Sequence, residues 1–366
     1  MQLKVLCLTL LISISLFVSA QSASYPKDYF RNPMGIPMDL SANFGELRSN
    51  HWHMGLDIRT QQKVNLPVYA AAEGYIAHIG IRSQSFGRFI IINHPNGLST
   101  LYAHLNDFFP VLEKYVNEQQ YAKESWAIEL NFTKNQFPVT KGSFIAYSRP
   151  TGGSMGPHLH IGAVGSTGWA TGPHLHFEII DTKTDKRLNP LLFNFPITDN
   201  LRPTIQKLVV YDRNKSVYEQ TPVFHTAKNT DSGYILPKEM LMKTGLSKIS
   251  FGLQAYDKMT TRSSENGIYS AKLFFDDEEQ VRFLLDSIDY DETVYMNAQI
   301  DYKYKYNGGS YLQHLSKLPG DHGPVYKKIY GDGVITFTDT LVHTVHIEVS
   351  DAHGNISQLK FQVQFD

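Results

Sequence analysis

The stretch TGGSMGPHLHIGAVGSTGWATGPHLHFEII, Thr151 to Ile180, contains one pattern twice. Thr-Gly, three variable residues and Gly-Pro-His-Leu-His run from Thr151 to His160 and again from Thr167 to His176. Side chains two residues apart on a β-strand project from the same face, so each His-x-His can aim two imidazoles at one point. Fifteen histidines in 366 residues predict less than one such pair by chance, and this chain has three. The doubled stretch therefore indicates a strand that presents histidines to a metal ion.

The third His-x-His lies in HWHMGLDIRT, where His53 and Asp57 are four residues apart. Gly55 argues against a helix here, and in an extended segment the two side chains share one face. Imidazole, a monodentate carboxylate and a further imidazole from a distant strand make a catalytic zinc site with its fourth position left for water. Such a site supports metal-assisted hydrolysis, because zinc lowers the pKa of bound water and polarises a carbonyl.

The region around these motifs, from about Met38 to Pro196, is rich in glycine and in short β-type runs, so we expect antiparallel sheet. RFIIINHPNGLSTLYAHL is typical of a hairpin, because HPNG supplies turn chemistry between two β-type runs. Val111 to Trp126 follows Pro110 and has apolar pairs at i, i+4, which predicts a helical insertion between two strands.

Pro196 and Pro203 flank a polar turn that we interpret as a domain boundary. Downstream, apolar residues alternate with polar ones, and SDAHGN forms a turn between the last two runs, which predicts the terminal hairpin of an immunoglobulin-like sandwich. The fold class is therefore mainly β, an antiparallel domain followed by a β-sandwich. Alternating Tyr and Lys in IDYKYKYNGG predict an exposed strand, and the histidines of the sandwich are expected at its surface: His343, His346, His353.

The chain begins like an exported protein. Lys4 precedes an apolar run from Val5 to Val18, and Ala20 ends a small-residue cleavage site, so residues 1–20 predict a signal peptide for the periplasm or cell envelope. Cys7, the one cysteine, lies in that segment, which excludes disulfides and thiol chemistry from the mature chain.

The charge balance bears on possible partners. Lys plus Arg, 34, nearly equals Asp plus Glu, 35, so a nucleic-acid partner is not expected. Stable insertion into a membrane is not expected either, because the apolar run is too short to span a bilayer.

Three motifs in sequence order, HMGLDI, INHPNGLSTLYAHL and TGWATGPHLHFEI, give the chain a family resemblance. From about Asn43 to Pro190 it resembles the lysostaphin/LytM-type zinc endopeptidases, which cut peptide bonds in bacterial peptidoglycan. The resemblance implies a small antiparallel sheet with a groove along a Zn²⁺ ion. It also implies site residues: His53, Asp57 and His176 as zinc ligands, and His104 and His174 as the pair that polarises water and steadies the tetrahedral intermediate.

The resemblance leaves open which copy of the doubled motif serves the metal. His174 and His176 are favoured, because their strand continues through FEII into NPLL as in the family, whereas Gly162 follows His158 and His160. The first copy has the family's Lys-Gly turn upstream of it, so it remains the alternative.

We expect four segments: a signal peptide (1–20), a surface-coil lead-in (21–37), a zinc peptidase domain (38–197) and an immunoglobulin-like domain (203–366). The last would position the enzyme or contact the wall or a partner. Two other functions are open. A peptidase-like module without activity could bind or regulate wall hydrolases, and a surface adhesion protein could work through its sandwich alone.

Overall fold

The computed structural model describes residues 25–63, 65–148, 173–238, 240–260 and 264–366. The expected signal peptide and the first copy of the doubled motif, with His158 and His160, lie outside these ranges. Over the described ranges the chain is built mainly from antiparallel strands, which confirms the predicted fold class. None of the helices in these ranges is long and apolar enough to cross a membrane.

The N-terminal half carries one long helix, α1, at Pro110–Lys123. Its described strands are β1 Leu40–Ala42, β2 Leu47–Arg48, β3 His51–Trp52, β4 Leu56–Arg59, β5 Pro67–Tyr69, β6 Gly74–Ile81, β7 Arg88–Asn93, β8 Leu98–Ala103, β9 Leu105–Phe108, β10 Ile128–Asn131, β11 Pro138–Val139, β12 Phe144–Ser148, β13 His174–Asp181 and β14 Arg187–Leu188.

The C-terminal half is also built from strands. They are β15 Thr204–Asp212, β16 Val223–Thr226, β17 Lys228–Thr230, β18 Gly233–Ile235, β19 Leu241–Thr244, β20 Lys248–Tyr256, β21 Ser270–Phe275, β22 Glu278–Leu284, β23 Ser287–Ile288, β24 Gln313–His314, β25 Tyr326–Ile329, β26 Ile335–Thr336, β27 Val342–Ser350 and β28 Ile356–Phe365. Short helical turns lie between them: α2 Met296–Gln299, α3 Tyr302–Tyr306, and 3₁₀ turns at Val217–Glu219, Thr293–Tyr295 and Gly331–Gly333, with a further one before β15 at Pro190–Phe193.

The main N-terminal sheet has the strand order β1-β4-β13-β8-β7-β6-β10, and β11 and β14 join it beside β6 and β13. The predicted hairpin is β7 with β8, and Ile90 and Ile92 both face the core. Helix α1 lies between β9 and β10, as predicted, starting at Pro110. Of its two apolar i, i+4 pairs, Leu112 and Val116 are buried, whereas Val111 of the pair Val111 and Tyr115 is 67% exposed.

Two sheets of the C-terminal half share one apolar core. One has the order β16-β15-β20-β24 and the other β17-β18-β28-β27-β21-β22-β25. Alternate residues of both, such as Phe251 on β20 and Ile347 on β27, face this common core, as expected for a sandwich. The predicted terminal hairpin is β27 paired with β28. Immunoglobulin-like connectivity stays a prediction, and two strands, β18 and β19, pair with β28 in parallel.

The two halves interlock. Phe44, Trp52 and Met54 of the N-terminal half lie in the core of the C-terminal sandwich, and the Trp52 indole donates to Gln299 at 3.1 Å. In return β23 pairs with β14, which adds a C-terminal strand to the edge of the N-terminal sheet.

Two local predictions were wrong. Residues 25–37 of the lead-in are irregular but not a surface coil, because Phe30 and Met34 pack in the N-terminal core. IDYKYKYNGG is not an exposed strand. Asp301 caps α3 by accepting from the Tyr304 amide, and this cap favours a helical turn over the strand preference of tyrosine.

Candidate metal centre

Strands β4 and β13 are neighbours in the sheet, and their antiparallel register sets Asp57 directly opposite His176. The alternate residues of both strands, such as Ile58 and Phe177, are buried in the N-terminal core. Because successive side chains of a strand point to opposite faces, Asp57 and His176 project together from the face away from that core.

Gly55 permits His53 to reach the same point. A Cβ atom at this position would lie 2.5 Å from the carbonyl oxygen of Phe177 and 3.0 Å from Nε2 of His176. The contact with the backbone oxygen is closer than a Cβ atom normally comes to any atom, so only glycine fits the turn between His53 and Asp57 without moving β13.

Three ligand-type atoms converge at this face. His53 Nε2 lies 3.1 Å from Asp57 Oδ1 and 3.1 Å from His176 Nδ1, and His176 Nδ1 lies 2.9 Å from Asp57 Oδ1. Tetrahedral zinc with bonds of about 2.0–2.1 Å holds its ligands about 3.3 Å apart, so the triangle needs to open by only a few tenths of an ångström. The other oxygen of Asp57 faces Arg48, 3.8 Å away.

The outer nitrogens of the two imidazoles are already engaged. His53 Nδ1 lies 2.8 Å from the carbonyl oxygen of Asn43, which can only accept a hydrogen bond. His176 Nε2 lies 2.9 Å from Oε1 of the fully buried Glu178. A ring that donates outward can offer the lone pair of its other nitrogen towards the carboxylate of Asp57. Two inward imidazole nitrogens and one carboxylate oxygen make a donor set that fits zinc.

The pKa shifts at this centre follow from the same contacts. Burial raises the pKa of the Asp57 carboxyl, but the neighbouring His53 and the hydrogen bond from His176 outweigh burial and hold it well below its usual value. Burial lowers the pKa of His176, but the hydrogen bonds that its ring donates to Asp57 and Glu178, and the charges of these two carboxylates, outweigh burial and raise it to about 9. A metal that binds here displaces a proton.

His104 and His174 lie beside the three converging atoms. Their ring centroids are 4.9 Å apart, and His174 Nε2 is 3.6 Å from Asp57 Oδ1. His104 follows the end of β8 with a φ of 58°, in the left-handed region, where a residue other than glycine is uncommon. Backbone strain of this kind is held in place by surrounding structure and often marks a working site. The structure thus brings all five predicted side chains together.

A second layer of residues around His176 is absent from the sequence-based prediction. Glu178 accepts from Tyr290 Oη at 2.6 Å through Oε1 and from Arg187 Nε at 3.2 Å through Oε2. The Arg187 guanidinium also lies over the Tyr290 ring, 4.3 Å from its centroid. Tyr290 comes from the C-terminal half, 112 residues from Glu178, and no sequence signal links them. Glu178 was predictable, because it follows His174 and His176 on the same strand face.

The sequence model of Peptidase family M23 matches residues 51–128. This range contains the segment from His53 to Asp57 and also His104, whereas β13 with His174 and His176 lies beyond it.

Parts of the chain are also similar to individual known proteins. DD-carboxypeptidase/endopeptidase Mpg of Neisseria meningitidis serogroup B is 33% identical over 108 residues, which make 30% of this chain and 19% of that protein. Cell division protein DipM of Caulobacter vibrioides is 35% identical over 68 residues, 19% of this chain and 11% of that protein. This chain thus spans less than a fifth of the length of either relative. A zinc containing peptidase from Vibrio cholerae aligns over 45% of this chain and 38% of its own, with 22% identity and a TM-score of 0.27.

Proposed function

The N-terminal half carries a domain of peptidase family M23, and from this premise we propose that the protein is a zinc-dependent endopeptidase that hydrolyses peptide bonds in the stem or cross-link peptides of peptidoglycan. The observation that carries the proposal is the convergence of His53 Nε2, Asp57 Oδ1 and His176 Nδ1 within 3.1 Å of one another. Each ring is fixed by an acceptor on its far side, so the centre is preorganised for a cation.

His53, Asp57 and His176 would hold the zinc ion. When bound there, zinc supplies Lewis acidity, which polarises the scissile carbonyl and lowers the pKa of water. Asn43 and Glu178 would keep the two imidazoles in the tautomers that offer their lone pairs inward.

His104 and His174 would carry the proton transfers. A neutral imidazole accepts a proton from attacking water, and a protonated imidazole stabilises the oxyanion and returns the proton to the leaving amine. Their position beside Asp57, on the face opposite the core, supports this role.

The choice between the two copies of the doubled motif is open to a direct test. The pairing of β13 with β4 supports His176 as the ligand. We therefore expect His176→Ala to lose bound zinc and His160→Ala to keep it, as measured by metal analysis of the purified proteins. Zinc retained in the His176 variant and lost in the His160 variant would reverse the assignment.

Hydrolysis is tested with purified full-length protein and isolated peptidoglycan. We expect soluble fragments with new amino termini, release that stops with a chelator and returns with zinc, and no release by Asp57→Asn. Stoichiometric zinc with no new amino termini on any wall substrate would refute the enzyme and leave a binding module.

The remaining expectations concern the whole chain. Residues 1–20 would direct export to the periplasm or cell envelope, residues 38–197 would form the peptidase domain, and residues 203–366 an immunoglobulin-like domain that contacts the wall or a partner. Export is tested by cell fractionation. We expect the mature protein in the periplasmic or envelope fraction, with residue 21 as its amino terminus.

A further inference from the structure

Three aspartates are buried in the region where the two halves join, far along the chain from the histidine centre. Asp199 lies in the segment between the halves, Asp257 directly follows β20, and Asp351 directly follows β27. They are 7%, 1% and 3% exposed. One ligand-type atom from each of Asp199, Asp351 and His353 lies within 4.8 Å of the other two. We call these four residues the aspartate cluster.

The aspartate cluster has little compensating positive charge. In the described ranges, no lysine or arginine forms an ion pair with any of its carboxylates, and the one ion pair within the cluster joins His353 Nδ1 to Asp199 Oδ2 at 3.8 Å. Burial, and then the charges of Asp199 and Asp351, raise the pKa of Asp257 to about 8. The charges of Asp199 and Asp351 thus act on the carboxyl of Asp257.

Two carboxylate oxygens of the cluster have no hydrogen-bond partner among the described residues. They are Oδ2 of Asp199 and Oδ1 of Asp257, both fully buried. The other oxygen of Asp199 accepts from the Leu201 amide and the Thr260 hydroxyl, so Oδ2 is held towards His353. Buried carboxylate oxygens are normally paired, and leaving one unpaired costs more than a neutral group would.

The carboxylate of Asp351 is held in place by its own turn. Oδ1 accepts from the amides of His353 and Asn355, each at 2.9 Å, and Oδ2 accepts from the Asn355 side chain at 2.6 Å. The same Asn355 side chain donates to the main-chain carbonyl of Asp199 at 3.2 Å. The joining segment and the terminal hairpin are thus already fastened together beside the unpaired oxygens.

We propose that the aspartate cluster binds a divalent cation of the oxygen-seeking class, Ca²⁺, and that the ion ties the joining segment to the base of the C-terminal sandwich. Calcium takes carboxylate and carbonyl oxygens at about 2.3–2.6 Å with flexible geometry, which suits buried carboxylates that come from separate segments. The histidine centre, with its two nitrogen ligands, suits zinc instead. The two sites therefore differ in donor chemistry, because carboxylates predominate in the aspartate cluster and imidazoles in the histidine centre.

The test measures thermal unfolding of the full-length protein, freed of metals on a chelating resin, against added CaCl₂. In the wild type we expect the Tm to rise by at least about 3 °C at saturating calcium, because a ligand that binds only the folded state stabilises it. Asp257→Asn, which keeps the shape of the side chain, should lose the rise and leave the metal-free Tm equal or higher, since it removes like-charge repulsion. Asp231→Asn, at an exposed aspartate of the same half, should respond like the wild type.

The variant His53→Ala shows whether the calcium response depends on the histidine centre. This variant should lose zinc and keep the full calcium response, so failure of the calcium site and failure of the proposed peptidase are distinguishable. A wild-type Tm that does not respond to calcium would overturn the proposal. The negative charge of the carboxylates would then be neutralised by a shared proton and by His353. The proposal would also be overturned if the Tm rose with zinc or manganese but not with calcium, and if Asp257→Asn abolished that rise.

Discussion

Replacing Tyr290 with phenylalanine removes one hydroxyl and leaves the ring in place. That hydroxyl donates to Glu178 Oε1 at 2.6 Å, and the carboxylate of Glu178 is fully buried. Burial, and then the charge of Glu178, hold the pKa of Tyr290 well above its usual value, so the hydroxyl remains a donor at any working pH. A hydrogen bond to a charged group contributes about 1.5–3 kcal/mol, and we expect the lower end, because the Tyr290 ring is 37% exposed.

The same hydroxyl helps to hold Glu178 against His176 Nε2, so its loss should also loosen the orientation of a metal ligand. Removal of such an outer partner typically weakens metal binding by about tenfold or more. We expect Tyr290→Phe to weaken zinc binding about tenfold in competition with a chelating dye, and to lower the free energy of unfolding by about 1.5–2 kcal/mol.

Tyr330→Phe is the matched control, because Tyr330 belongs to the same half and is 69% exposed. It should change neither quantity. If Tyr290→Phe lowers stability but leaves the zinc affinity at the wild-type value, Tyr290 is only a structural residue, and the reasoning that links the C-terminal half to the metal centre is wrong.

Three further predictions concern the same region and the core. Gly55→Ala should lose zinc binding, measured by metal analysis, because its Cβ would lie 2.5 Å from the Phe177 carbonyl oxygen and force β4 from β13. Trp52→Ala should lower the free energy of unfolding in denaturant by about 3–5 kcal/mol, since Trp52 is fully buried. Burial lowers the pKa of His94 to about 4. Below pH 6.5 the unfolded state therefore binds a proton that the folded state does not, and the free energy of unfolding decreases as the pH is lowered. The stability difference between wild type and His94→Gln should therefore shrink by about 2 kcal/mol between pH 7.5 and pH 5, and an unchanged difference would contradict a neutral buried His94.

The local structure around the site could be predicted from the sequence, because short-range patterns determine the strands, the turn and the helix start. The alternation in RFIIIN and LSTLYA and the turn between them predicted β7 and β8, and Pro110 predicted the start of α1. The prediction that His53, Asp57 and His176 lie together needed the resemblance, because 119 residues separate Asp57 from His176. Spacing alone cannot tell which strand pairs with β4.

Other features depended on contacts that no local pattern contains. Trp52 lies beside a ligand candidate in sequence, yet its indole belongs to the core of the other half. The cap of Asp301 decides the conformation of Tyr302–Tyr306 against the β preference of tyrosine. His353 is exposed, as predicted, but its contact with the buried Asp199 depends on the terminal turn folding onto the joining segment, which no local pattern shows.

The interlocked halves have a consequence for how the metal centre is built. His53 is flanked by Trp52 and Met54, both buried in the C-terminal core, and His176 is held through Glu178 by Tyr290 of that same half. Two of the three proposed ligands are thus oriented from outside the N-terminal sheet. A chain cut within residues 198–202 would expose the Trp52 indole and leave Glu178 without one of its donors. We therefore expect such a fragment to bind zinc more weakly than the full chain, by more than the roughly tenfold effect of Tyr290→Phe alone. A fragment that bound zinc as tightly as the intact protein would show that the N-terminal sheet holds its ligands unaided.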